Sequence, residues 1–180
     1  MNTMPRWSDL PFDARLCLRA NHWGARRAVA RFFGVISRLG DGAFWYTLMA
    51  AIALFGGSQG PAVALQMSLT GGIAAVLYRG LKRSTRRPRP FRTHREIVPR
   101  AMPLDEFSFP SGHTLHAVTF TLVALAYFPL LAPLLVPFAL LVAASRVVLG
   151  LHYPSDVLAA ALAGCALATA SLGIAASMRV

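Results

Sequence analysis

Carboxylates are scarce in this sequence: its 180 residues hold seven Asp and Glu against 18 Lys and Arg, a formal net charge of +11. Charge of either sign is missing altogether from residues 42–78, 107–145 and 157–178. Only 14% of the chain is charged, 56% is hydrophobic and the mean hydropathy is +0.52, a balance that excludes an ordinary soluble domain. Three separate uncharged stretches of this length also argue against a soluble helical bundle with a buried core. Two cysteines, Cys17 and Cys165, are too few for a disulfide scaffold or a Cys-rich metal site. His, Cys and carboxylate residues nowhere gather at metal-ligand spacing, so neither metal nor cofactor is expected. The basic residues come without a recognisable nucleic-acid motif, which argues against a nucleic-acid partner.

What is present is membrane-like. A spanning helix takes ~20 apolar residues, so the first two uncharged stretches suit two helices each and the third suits one. "GGSQGP" (56–61) and "FPLLAP" (128–133) divide the long stretches, because Gly and Pro punctuate regular structure. Spans are therefore expected near 39–56, 61–81, 112–128, 133–149 and 155–177. Residues 1–38 mix Arg with Leu, Phe and Val at helical spacing and contain no long apolar run, which fits an interfacial amphipathic helix. They lack the apolar core and small-residue cleavage site of a signal peptide and are expected to stay on the mature protein. The expected fold is all-α: one domain over 1–180, a polytopic membrane bundle of five to six membrane helices plus the N-terminal amphipathic helix.

The charge is unevenly placed. Seven Arg precede Asp41 (6, 15, 19, 26, 27, 31 and 38), nine basic residues fall within 79–100, and only Arg146 and Arg179 remain. With five spans, the N-terminus and the segments 79–111 and 146–156 share one membrane face. The positive-inside tendency alone would make that face cytoplasmic, and anionic headgroups would suit it.

Three clusters lie on that face at expected helix ends. "KRSTRRPRP" holds Lys82, Arg89 and Pro90; either cation can bind an anion, Arg as a bidentate fork, or can simply be solvated. Its neighbours Arg83, Arg86, Arg87, Arg92 and Arg95 read as solvated or headgroup-facing. "PSGH" (Pro110 to His113) reads as a turn into a helix, with Ser111 as N-cap and free backbone N–H groups that form an anion site. Gly112 permits close backbone approach, and His113 at the rim can protonate a leaving group. Capping by Ser111 with a structural His113 is the plainer alternative. "SRVVLGLHYPSD" holds Ser145, Arg146, His152 and Asp156. Pro154 suits the first turn of a helix and puts Asp156 where it can reach back to His152, fixing a tautomer that leaves one ring nitrogen free to attack. A capping Asp beside an interfacial His is the alternative here. His22, His94 and His116 have no such partners, and His116 reads as packing. Taken together, the clusters describe metal-free phosphoryl transfer: cations and a helix N-terminus for an oxyanion, one His to attack and one to protonate. Such a pair implies a bell-shaped pH dependence.

As a set, K-x6-R-P (Lys82 to Pro90), P-S-G-H (Pro110 to His113) and S-R-x5-H-x3-D (Ser145 to Asp156) resemble the signature of the type-2 phosphatidic acid phosphatases, which soluble vanadium haloperoxidases share. The resemblance covers 82–156 directly. It implies phosphate binding by Lys82, Arg89, Arg146, Ser111 and the Gly112 backbone. It also implies that His152 is the nucleophile forming a phosphohistidine, Asp156 its orienter and His113 the general acid. Every one of these positions carries the expected residue. The implied partner is a lipid phosphate within the membrane, with a polyprenyl diphosphate such as undecaprenyl diphosphate expected ahead of phosphatidate, phosphatidylglycerophosphate or lipid A phosphates. Membrane members commonly have six helices with the site outside the cytoplasm, so the expected location is a bacterial inner membrane with the site on its periplasmic face. A vanadate-dependent haloperoxidase and a non-catalytic anion-binding membrane protein (a transporter or scaffold) are the other classes open to such a chain; the uncharged spans weigh against the first and the complete His113, His152 and Asp156 set against the second.

Overall fold

The computed structural model describes residues 10–178; Arg6 and Arg179, counted above among the cations, lie outside the described residues. Eight α-helices follow in order among those residues: α1 (Phe12–Trp23), α2 (Arg27–Arg38), α3 (Phe44–Phe55), α4 (Gly60–Thr85), the single turn α5 (Pro90–Thr93), α6 (Gly112–Tyr127), α7 (Ala132–Val148) and α8 (Pro154–Ser177). The punctuation acts as expected. Short 3₁₀ turns at Gly57–Gln59 and Pro129–Leu131 reverse the chain, and prolines sit in the first turns of α4, α7 and α8, where a missing N–H costs nothing.

Among the described residues, three segments are long and apolar enough to cross a membrane: Gly57–Thr93, Pro129–Val148 and Pro154–Ser177. At the two other expected spans, α3 has 12 residues and α6 has 16, fewer than the ~20 of a full crossing. Helix α6 is the centre of the bundle, packed on α4, α7 and α8 with Leu115, Ala117, Val123 and Ala124 wholly buried. Helix α3 continues α2 through a π turn at Leu39–Ala43, where Gly42 takes φ 138° and breaks the helical path.

The N-terminal segment is two helices rather than one. The inner face of α1 (Ala14, Cys17, Leu18 and Asn21, at helical spacing) is buried and packs on Ile97 and Tyr153. It thus covers the protein's own polar end. Asn21 is the fastener: its amide donates to the carbonyls of Val98 (2.9 Å) and Val148 (3.1 Å) and accepts from Val98 N–H (2.9 Å). Gly150, at φ 72°, turns the chain beneath it, and a Cβ there would meet the Asn21 amide at 2.8 Å.

Small residues let the long helices approach closely. A Cβ on Gly71 would stand 2.7 Å from the Phe120 ring, and one on Gly164 would stand 3.0 Å from the Leu115 carbonyl. Polar groups away from the loops pair with each other: Tyr127 donates to Gln66 Oε1 (2.7 Å), and Gln66 Nε2 donates to Ser171 Oγ (3.0 Å), tying α6, α4 and α8 together. The alternation of helix direction then sets the C-termini of α4 and α7, the N-termini of α6 and α8 and the π turn at one end.

Overpacking the α6–α8 contact is expected to be the costly change. Gly164→Val should destabilise by about 1–3 kcal/mol, read as a lower thermal midpoint in detergent. Gly173→Ala, on the same helix with nothing within 4 Å of the new methyl, should leave the midpoint unchanged or raise it.

Candidate active site

At that end a cavity of ≈ 900 Å³ opens, lined by Lys82, Arg89, His113, Arg146 and His152 on one side and by Trp45, Met49, Gly71 and Phe120 on the other. It is polar and cationic where the loops meet and apolar where it runs between helices α3, α4 and α6.

Lys82 lies on the last turns of α4, buried beneath the 94–111 loop, and all three of its protons are spoken for. It donates to both Asp105 carboxylate oxygens (2.6 and 2.7 Å) and to the Phe107 carbonyl (3.0 Å). Arg89 precedes α5 and is 1% exposed. Its Nε donates to the Asp105 carbonyl (3.0 Å), one terminal nitrogen to the Asp105 carboxylate (2.9 Å) and the other to the Leu151 carbonyl (2.8 Å). Burial pushes the Asp105 carboxyl up, but the Lys82 ammonium and Arg89 guanidinium beside it prevail and hold it below the usual carboxylate range. Arg146, at the end of α7, donates to Ser37 Oγ on α2. Its Nε is buried without a hydrogen-bond partner among the described residues, a donor that an oxyanion in the cavity would satisfy.

The two histidines reach the same cavity from different elements. His113, one residue into α6, faces Asp41 in the π turn (Nε2 to Oδ1, 3.4 Å). Ser111 caps α6, accepting from Thr114 N–H (3.5 Å) and pairing with Thr114 Oγ1 (3.0 Å). Gly112 lines the cavity against the Tyr78 ring. His152 lies in the turn between α7 and α8, 2% exposed. Its Nδ1 is 2.6 Å from the Ser108 carbonyl, an acceptor, so Nδ1 carries the hydrogen. Nε2 is left with its lone pair, 3.4 Å from an Arg89 nitrogen.

The expected bond between Asp156 and His152 is replaced by a looser arrangement. Asp156 Oδ2 accepts from Tyr153 N–H (2.8 Å) and stands 3.8 Å from His152 Nδ1. The Ser108 carbonyl, not the carboxylate, fixes the ring. Asp156 itself sits in the first turn of α8 as expected, wholly buried.

All eight expected site residues (Lys82, Arg89, Ser111, Gly112, His113, Arg146, His152 and Asp156) are gathered at this end. Four further groups were not anticipated: Ser108, Asp105, Asp41 and Arg87. Arg87 is not a solvated cation, since it donates to Asp156 Oδ1 at 2.7 Å. Arg92 does fit the surface reading, paired with exposed Glu106 at 2.9 Å. His116 bridges helices, with its ring nitrogens 2.9 and 3.2 Å from the carbonyls of Gly112 and Gly71. The signal for the missed acids was scarcity: of seven carboxylates, Asp13, Asp41, Asp105 and Asp156 all lie at this end.

A helical membrane protein whose buried cations and two histidines line a cavity with a polar and an apolar end is equipped to hold an anion. The family follows from the sequence: a model of the PAP2 superfamily matches residues 62–177, and the chain belongs to that superfamily. It is similar to the undecaprenyl-diphosphatase BcrC of Bacillus subtilis, with 34% identity over 113 residues, 62% of this chain and 57% of that protein. The chain thus spans little more than half of that relative. Two solved structures resemble it over 92% of its length. A transmembrane PAP2-type phosphatidylglycerolphosphate phosphatase from Bacillus subtilis has a TM-score of 0.73 and 25% identity over 85% of that chain, and Aquifex aeolicus LpxE has 0.77 and 26% over 97%.

Burial, with Arg146, Arg89 and Lys82 nearby, lowers the His152 pKa well below 6.5, the Ser108 bond opposing only in part. A lowered pKa means that the imidazole stays neutral as pH falls through 6.5 and takes a proton only further down. The unfolded chain would bind that proton first, so this group costs folding stability increasingly below pH 6.5. The ¹⁵N spectrum of histidine-labelled protein in detergent should show His152 neutral, protonated at Nδ1, at pH 6.5. A half-titrated ring at that pH would contradict this electrostatic reading.

Proposed function

We propose that the protein is a metal-independent lipid phosphatase of the bacterial inner membrane, with the site at the periplasmic face and a polyprenyl diphosphate, of the undecaprenyl diphosphate type, as substrate. The observation that carries the reading is the shared cavity: three buried cations and two histidines at its polar end, and an apolar end between helices fit for a lipid tail. The similarity to an undecaprenyl-diphosphatase supports the polyprenyl choice. A lipid phosphomonoester is the second reading, favoured by the whole-chain likeness to the phosphatidylglycerolphosphate phosphatase.

In this mechanism Lys82 and Arg89, turning donors from Asp105 to the substrate, and Arg146 hold the terminal phosphoryl oxygens, together with Ser111 and the backbone at the start of α6. Their charge offsets what accumulates on those oxygens in the transition state. His152 Nε2 attacks phosphorus, the bond from phosphorus to the leaving oxygen breaks, and His113 gives that oxygen a proton. The phosphohistidine keeps its Nδ1 hydrogen on the Ser108 carbonyl, and the Asp156 charge offsets the positive ring. Water then attacks phosphorus as His113 takes its proton, the P–N bond breaks and inorganic phosphate leaves.

Detergent-purified protein in excess EDTA is expected to release phosphate from undecaprenyl diphosphate faster than from phosphatidate, phosphatidylglycerophosphate or a lipid A phosphate. His152→Ala should lose at least ~10³-fold in kcat, as when a nucleophile is removed. Faster release from a phosphomonoester lipid would select the second reading, and normal turnover by the variant would end the nucleophile assignment.

A further inference from the structure

Arg87 lies outside the cation clamp but grips the other side of the nucleophile's support. One terminal nitrogen donates to Asp156 Oδ1 and to Ser155 Oγ, both at 2.7 Å, and the second donates to Asp13 Oδ2 on α1 at 2.8 Å. Asp13 closes the ring, accepting from Ser155 N–H at 3.0 Å and from the Ser155 hydroxyl. The guanidinium lies over the Tyr153 ring, 4.3 Å from its centre. Only a planar fork bridges two carboxylates this way; an ammonium is a point donor.

The carboxylate it serves has no other cation within ion-pair distance among the described residues. Asp156 is 0% exposed, Tyr153 N–H occupies Oδ2, and Arg87 is its sole ion-pair partner apart from the His152 ring at 3.8 Å. A buried carboxylate deprived of its ion pair is costly, and it rotates or takes up a proton. Either response would withdraw its charge from the His152 ring when phosphorus is bonded to Nε2.

We propose that Arg87 is a positioning residue for phosphoryl transfer, acting through Asp156, and that α1 takes part by holding the far side of the Arg87 fork with Asp13. This rests on the reading of His152 and Asp156 given above. It makes α1, which precedes the family-matched residues 62–177, a working part of the site.

Steady-state kinetics on the preferred lipid of that panel tests it. Arg87→Met should lower kcat about tenfold or more, a change of roughly 1.4 kcal/mol or more, with KM within about twofold. Placed on Asp156→Asn, the same change should add less than about twofold, because the two act as one unit. Arg87→Lys should recover part of kcat. Should Arg87→Met not fold, Asp13→Asn keeps the test alive, with a smaller fall in kcat at constant KM. A raised KM at constant kcat would make Arg87 a headgroup contact, and losses that add to those of Asp156→Asn would make it structural; either overturns the proposal. A dead His152→Ala beside wild-type kcat in both Arg87→Met and Asp13→Asn defeats this inference alone. Full turnover in His152→Ala defeats the reading beneath it as well.

Discussion

Buried positive charge at the end of an apolar bundle is what the rest of this structure is arranged to tolerate. Lys82, Arg89 and Arg146 are each less than a tenth exposed, and a cation so placed must be paired. Asp105 supplies the counter-charge to two of them and brings the 94–111 loop down over the helix ends. That loop in turn delivers the Ser108 carbonyl to His152. The position of His152 is therefore a downstream result of neutralising the buried cations.

The same arrangement separates two chemistries within one cavity. The loops bring polar atoms to the membrane face, while helices α3, α4 and α6 contribute Trp45, Met49 and Phe120 deeper in. The bundle can do this because Gly71 and Gly164 let the helices approach closely and because the paired polar groups among α4, α6 and α8 use up their own hydrogen bonds. The cavity thus offers a cationic end and an apolar end within one enclosure.

Much of this could be read from the chain. Uncharged stretches report spans because an unpaired charge in lipid is expensive, and the three motifs report the site because their spacing falls at helix ends. What escaped was information that the sequence carries only in three dimensions. The Ser108 acceptor is a backbone carbonyl, which any residue has. Arg87 stood among five similar cations, and nothing but its two carboxylate partners distinguishes it. The span expected near 39–56 took in Asp41, yet α2 ends at Arg38, α3 begins at Phe44, and the kink at Gly42 between them places Asp41 beside His113. The amphipathic pattern at the N-terminus was visible, but not that its apolar face would meet Ile97 and Tyr153 instead of lipid.

The fastening of α1 has a bearing on how the molecule is made. Asp13 meets Ser155 and Cys17 meets the His152 carbonyl across sequence separations of 142 and 135 residues. During synthesis α1 is made well before the α7–α8 turn, and until that turn has left the ribosome it can meet Ile97 and Val98 but neither Ser155 nor the His152 carbonyl. The end that holds His113 and His152 thus closes on its α1 side only when the turn between α7 and α8 is in place.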